Sequence, residues 1–150
     1  MKSAPTLSAS RKWFLLVVAG TGLAAIGNAQ DSAVVAHDAW VRLPPPSKMD
    51  AALYVVLENH SAEPRAAVSA SSEAATACEL HEMKMEKMTM VMNRIPRLAI
   101  PAKGKATLSP NSYHLMLFGL KKKLAVGDMI EVTFQLDNGM TVPVTAVVRK

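Results

Sequence analysis

Cysteine occurs once in the 150 residues, which excludes an intramolecular disulfide framework and a cysteine-rich zinc site. Aromatic residues make up only 5%, too few to build stacking platforms for single-stranded nucleic acid. Charged residues are 19% and apolar residues 50%, so the chain is neither an acidic disordered coil nor a coiled coil. Residues 1–29 contain no acid at all. The apolar stretch from Trp13 to Ile26 is shorter than the roughly 20 residues that a spanning helix needs. What the chain has in excess is methionine: ten residues, five of them between Met83 and Met92.

The N-terminal segment reads as an export signal. Lys2, Arg11 and Lys12 form a basic start, the run to Ile26 is the apolar centre, and Gly27-Asn28-Ala29 offers small residues for cleavage. Residues 1–29 are therefore expected to be a cleaved signal peptide and residues 30–150 a single mature domain in the periplasm, unattached to a membrane. No cysteine stands at the cleavage site, which argues against a lipoprotein. The signal also changes the charge argument. The whole chain has 17 basic and 12 acidic residues. The signal takes three basic residues and no acid, so the rest carries 14 against 12, a net charge of +2. A nucleic-acid partner loses its main support. Lys121-Lys122-Lys123 reads as a solvated loop.

The mature chain reads as all-β. Short β-rich runs recur about every ten residues, the spacing of a sandwich or barrel. The clearest are 34–42, 51–58, 65–69, 76–81, 105–108, 112–118, 129–136 and 140–148. Turn residues separate them, including Pro44-Pro45-Pro46, Pro110-Asn111 and Asp137-Asn138-Gly139, whose Asn-Gly pair accepts the positive φ of a tight hairpin. Eight or so strands in a chain of this size suit an immunoglobulin-like or cupredoxin-like sandwich. Trp40 on the first strand is expected in the core.

Two segments carry the chemistry. One runs from His81 to Met92 and contains Met83, Met85, Met88 and Met90; the other is His114-Leu115-Met116. Each opens with His-x-Met, and on a strand residues two apart share a face, so each pair presents an imidazole beside a thioether. Thioether sulfur is neutral and soft. It suits Cu(I) and has little use for magnesium, calcium or zinc. Two other readings stand beside metal binding. Methionines fill gaps in cores, although here they alternate with Glu82, Lys84, Glu86 and Lys87. His81, Met85, Met88 and Met92 also fall on one face of a helix, which would make a surface for a partner.

The spacing of these residues is H-x10-M-x21-H-x-M, running through His81, Met92, His114 and Met116. With it come Asp38-Ala39-Trp40-Val41-Arg42, Leu57-Glu58-Asn59, Glu79-Leu80-His81, Ile100-Pro101-Ala102 and Tyr113-His114-Leu115-Met116-Leu117. In this pattern the chain resembles the periplasmic copper chaperone family called PCu(A)C, from about Asp38 to the last hairpin. The resemblance implies a single-domain, cupredoxin-like Greek-key β-sandwich or barrel. It implies one Cu(I) held at an exposed site by His81, Met92, His114 and Met116. It implies a monomeric carrier, not an enzyme, that supplies copper for the CuA centre of cytochrome c oxidase, with the CuA subunit or a Sco-type copper protein as partner. Met83, Met85, Met88 and Met90 are auxiliary candidates, useful for stepwise exchange of the ion.

The chain departs from the family pattern in places. Where the family tends to have glycines before the second histidine, Asn111 and Ser112 stand here. No glycine lies between His81 and Met92, so Glu86-Lys87 is expected to make any turn there. Met90, two residues before Met92, competes with it as thioether ligand. Cys78 is expected to be a buried free thiol facing away from His81. His37 and His60 read as surface or structural residues, and Met49, Met129 and Met140 as packing or loop residues. Two functions of other classes remain: a cupredoxin-type electron-transfer protein, which needs a thiolate in a His-Cys-His set, and a metal-free β-sandwich adaptor.

Overall fold

Alternation of apolar and polar residues sets the architecture. In Met129–Leu136 every second side chain, Ile130, Val132, Phe134 and Leu136, is buried, and Val142, Val144, Ala146 and Val148 repeat the pattern in the following strand. The computed structural model describes residues 33–150; the expected signal peptide, residues 1–29, lies outside them. Among the described residues there are ten strands and no helix: β1 (Val34–Arg42), β2 (Ala51–Asn59), β3 (Arg65–Ser71), β4 (Ala75–Glu86), β5 (Thr89–Arg94), β6 (Leu98–Ile100), β7 (Lys105–Thr107), β8 (Tyr113–Leu120), β9 (Met129–Leu136) and β10 (Thr141–Arg149). The chain is all-β, as expected.

The strands hydrogen-bond in the order β5-β4-β8-β2-β1-β10-β9-β3-β6, with β7 added on β2. The β1–β10 pair is parallel and every other pair is antiparallel. Strand β2 divides its partners: Ala51–Leu53 pairs with β8, and Val56–Glu58 with β7. The sheet rolls over one apolar core, which collects Val41, Leu53, Leu57, Ile100, Leu115, Leu117 and Phe134 from five strands. Pro143, which has no N–H to donate, sits in β10 opposite Thr133, where β1 is not in register with it.

Several expectations change. The methionine segment is not the helix that stood as an alternative to a strand. It is the β4–β5 hairpin, and β4 continues five residues past its expected end at His81. Lys87 and Met88, not Glu86 and Lys87, make the turn, with φ of 46° and 66°. Glu86 is already paired with Thr89, which leaves only those two residues in the loop. That is the two-residue hairpin geometry in which both central residues take positive φ, adopted here without the usual Asn or Gly. Strand β6 escaped detection because three residues carry no usable periodicity. Trp40 is not in the core. A bulge between His37 and Trp40, with Asp38 at φ 55°, leaves Val41 as the buried residue. The indole lies half-buried against Tyr54, ring centroids 4.7 Å apart, with the Arg149 guanidinium 5.9 Å from its centroid. Met129 begins β9 as the 129–136 run predicts, but it does not pack: it is 63% exposed. The three lysines at 121–123 are exposed, as a solvated loop requires.

Candidate metal centre

The site forms where β4 runs between β5 and β8. His81 on β4 stands directly opposite His114 on β8, with ring centroids 5.7 Å apart. Because the pairing is antiparallel, Met116 lies two residues beyond His114 and opposite Glu79. On the other side of the histidine pair, Met83 lies two residues beyond His81 and opposite Met92. Strand parity puts all of these on one face of the sheet. The opposite face of β8 sends Leu115 and Leu117 into the core. Two imidazoles are thus flanked by thioethers in both directions along the strands. Met90 pairs with Met85 one step further along the hairpin, so Met92 is the nearer thioether to the histidines. Among the described residues, no group of three or more His, Cys, Asp or Glu side chains is arranged to hold a metal ion. The donors that gather are imidazoles and thioethers.

Each ring is oriented through one nitrogen. In His114 the Nδ1 atom lies 3.2 Å from the Ser112 carbonyl and donates to it, which leaves Nε2 free to bind. The same carbonyl accepts the Met83 N–H at 3.0 Å, tying β8 to β4 at the site. Asn111, at φ 64°, turns the chain into β8. It takes the left-handed backbone that a glycine would otherwise supply, one of the few residues suited to do so. In His81 the Nε2 atom lies 3.0 Å from a Glu79 carboxylate oxygen, and the other oxygen of Glu79 is 3.6 Å from Arg94. The remaining ring nitrogen, His81 Nδ1, is buried and has no hydrogen-bond partner. A buried polar atom left unpaired costs about 1–3 kcal/mol. A bound ion would remove that cost, so the donor set fits a soft metal.

Burial shapes the electrostatics as well. His114 is 5% exposed, and desolvation holds its imidazole below the ordinary histidine value, opposed by the bond to Ser112 and aided by His81. Burial thus favours the neutral ring, the form that binds a metal. Phe118 closes one side of His81, with ring centroids 5.9 Å apart. Cys78 pairs in register with Leu117 and packs against the core, on the face away from His81; burial raises its thiol value. It is half-buried rather than fully enclosed. No thiolate therefore reaches the two histidines from it, and the set a blue-copper centre requires is missing its sulfur. His37 bridges Asp38 and Glu58 at 3.0 and 3.1 Å, and His60 lies 3.8 Å from Glu58, all of them surface residues.

Glu79 was missed as a site residue by sequence reasoning, although Glu-x-His on a strand places the two on one face. A carboxylate that holds the far nitrogen of a ligating histidine fixes its tautomer and raises its basicity. Glu79→Ala is expected to lower Cu(I) affinity about 10–100-fold, as such supporting groups do elsewhere. Glu79→Gln, which can still accept from Nε2–H, should recover most of the loss in the same chelator competition.

Comparison with known proteins bears on the family and the fold. The family described as "Putative lipoprotein LpqE-like" matches residues 34–148. A curated relative, "Putative lipoprotein Lxx21020" of Leifsonia xyli subsp. xyli, is 36% identical over 83 residues, 55% of this chain and 50% of its own. The matched stretch thus spans about half the length of that relative. Among solved structures, apo-DR1885 from Deinococcus radiodurans is 33% identical, with TM-score 0.62 over 100% of this chain and 91% of that one. The CuI-DR1885 structure is 36% identical, with TM-score 0.58 over 79% and 78%. The copper-bound PCuAC domain from PmoF2 has TM-score 0.66 over 78% and 92%, at 20% identity, a likeness of fold. With its family match over nearly all the described residues, the chain belongs to the LpqE-like family.

Proposed function

We propose that this protein is a periplasmic carrier of Cu(I) that holds the ion with His81, His114, Met92 and Met116. The observation that carries the reading is the buried, unpartnered Nδ1 of His81, a residue in register with His114 and with thioethers on both sides. Two neutral imidazoles and two neutral sulfurs leave the ion a single positive charge, a smaller desolvation problem than a dication. The relatives support the same cargo, since DR1885 has been solved with CuI and the PmoF2 domain with copper. The lipoprotein description of the relatives supports an exported, envelope-associated protein. The carrier is released from the membrane by cleavage after about Ala29 and acts as a monomer.

Transfer proceeds by ligand exchange. Met92 is 48% exposed, so an incoming donor from a docked partner can replace its sulfur first. Met116 is half-buried and His114 buried, and they release the ion last. Each broken bond is replaced in turn, so no step leaves the ion bare. No covalent catalysis is needed. The recipient is the CuA subunit of cytochrome c oxidase, directly or through a Sco-type copper protein.

The test is an anaerobic Cu(I) titration against a chromogenic chelator, followed by mixing the loaded protein with an apo CuA domain. One tight equivalent, then the appearance of CuA absorption, is the expected result. Tight binding without transfer to either the CuA domain or a Sco-type protein would overturn the assigned recipients. Absence of a tight equivalent would overturn the carrier itself.

A further inference from the structure

Four donors on the first site leave four methionines of the β4–β5 hairpin unused: Met83, Met85, Met88 and Met90. Their placement is not that of packing residues. Strand β5 is the edge of the sheet. Met85 and Met90 stand directly opposite each other, 62% and 42% exposed, on the same face as the histidines. Met88 is at the tip of the turn and is 95% exposed. An apolar, exposed edge hairpin is an aggregation hazard that proteins ordinarily blunt with charge. Here Glu82, Lys84 and Glu86 occupy the other face of β4, and the thioether face carries no acid beyond His81.

Thioether sulfur is a poor hydrogen-bonding group and a good ligand for one class of ion, the soft monovalent cations. Directly opposed strand residues bring their Cβ atoms to about 4.5–5.5 Å, within reach of one ion for two flexible methionines. A third donor is available in the turn, in Met88, one residue before β5 begins. We propose that Met85, Met88 and Met90 form a second Cu(I) site at the hairpin tip. It lies four residues along β4 from His81, roughly 13 Å at the rise of a strand. Met83, half-buried and opposite Met92, stands between the two sites. With three exposed sulfurs and no imidazole, the tip site binds more weakly than the first. It loads after the first site and is the one an approaching partner or donor meets. The identity of the ion rests on the Cu(I) reading of the histidine site; the existence of the tip site does not.

The experiment uses the full chain labelled with 13C at the methionine methyls, titrated anaerobically with Cu(I) and separately with Ag(I), a redox-inert soft cation. The first equivalent is expected to shift the Met92 and Met116 methyls, and the second those of Met85, Met88 and Met90. In Met85→Leu/Met88→Leu/Met90→Leu, which keeps the apolar volume, stoichiometry against a weak chelator should fall from two to one with the tight equivalent unchanged. In His114→Ala/Met116→Ala the tip methyls should still respond. Tip methyls unmoved by two equivalents, or a triple variant that still binds two, would overturn the proposal. Loss of the tight equivalent alone would count against the histidine site and leave the tip site standing.

Discussion

In the double variant His114→Ala/Met116→Ala the tight Cu(I) equivalent is expected to vanish while the β-sheet signal in circular dichroism persists. Structural four-ligand zinc sites in small peptides contribute about 10–16 kcal/mol, or about 2.5–4 kcal/mol for each ligand. On that scale, losing an imidazole and a thioether removes on the order of 6 kcal/mol, about ten-thousandfold in affinity. Either single variant should fall between, with His114→Ala the more severe because its ring is the buried, oriented donor. Chelator competition reads both. Acid adds a second signature. The His114 imidazole is held below its ordinary value, so its neutral form persists to lower pH than that of a free histidine. Copper should accordingly be retained as pH falls past the ordinary histidine value and released only below it. The apo protein follows the same sign. A histidine buried neutral has a folded value below its unfolded one, so its contribution is present above the unfolded value and is lost as pH falls through the folded one. Copper release at or above the ordinary histidine value would contradict this account.

The second large effect is on the fold alone. Asn59→Leu is expected to destabilise the protein by about 3–4 kcal/mol, on the order of 10 °C in Tm for a domain of this size. Asn59 is 1% exposed and ends β2. Its Nδ2 donates to the Glu63 carbonyl at 2.8 Å and the Ile100 carbonyl at 3.2 Å. Its Oδ1 accepts from the Ser61 N–H at 3.0 Å and the Ser61 hydroxyl at 2.7 Å. One amide therefore stitches β2, the following turn and β6 together, and uses its donors and acceptors fully. A leucine fills the space but removes four bonds, the one to the Ile100 carbonyl in a buried setting and those to Ser61 and Glu63 in partly buried ones, where a lost partner costs about 1–3 kcal/mol at the buried end and less at the open one. Asn59 lies six residues along β2 from Leu53, the last β2 residue paired with β8, roughly 20 Å at the strand rise. The Cu(I) affinity of the folded variant should therefore match that of the parent. Thermal unfolding with a parallel copper titration checks both halves, and a comparable loss of affinity would show that the two regions are coupled.

Much of this protein is legible in the sequence for a simple reason: most of its strands have one buried face. Where the period-two pattern is strict, as in 129–136, sequence and structure agree to the residue. The reading weakens where that pattern is absent. Strand β5 has no buried residue, and its methionines fit a helical period as well as a strand. Only the pairing of His81 with Arg94 through Glu86 with Thr89 decides between them. Asn59 falls just outside the expected strand at 51–58, because side-chain bonds to distant carbonyls leave no mark on periodicity. Trp40 read as core because the bulge at Asp38, which shifts the parity of β1, has no glycine to announce it.

The sequence by itself determined the all-β class, the His-x-Met pairs and the soft character of the donors, because residue types and spacings of two along a strand are local properties. Tertiary structure alone decided which donors meet. Antiparallel register sets His81 across from His114 and puts Met83 and Met92 on one side of them, Met116 on the other. It also decided that Glu79 and the Ser112 carbonyl each hold one ring nitrogen, leaving His81 Nδ1 buried and free of partners. Register arises from pairing between segments some thirty residues apart, and a one-residue slip would turn every one of these side chains to the other face.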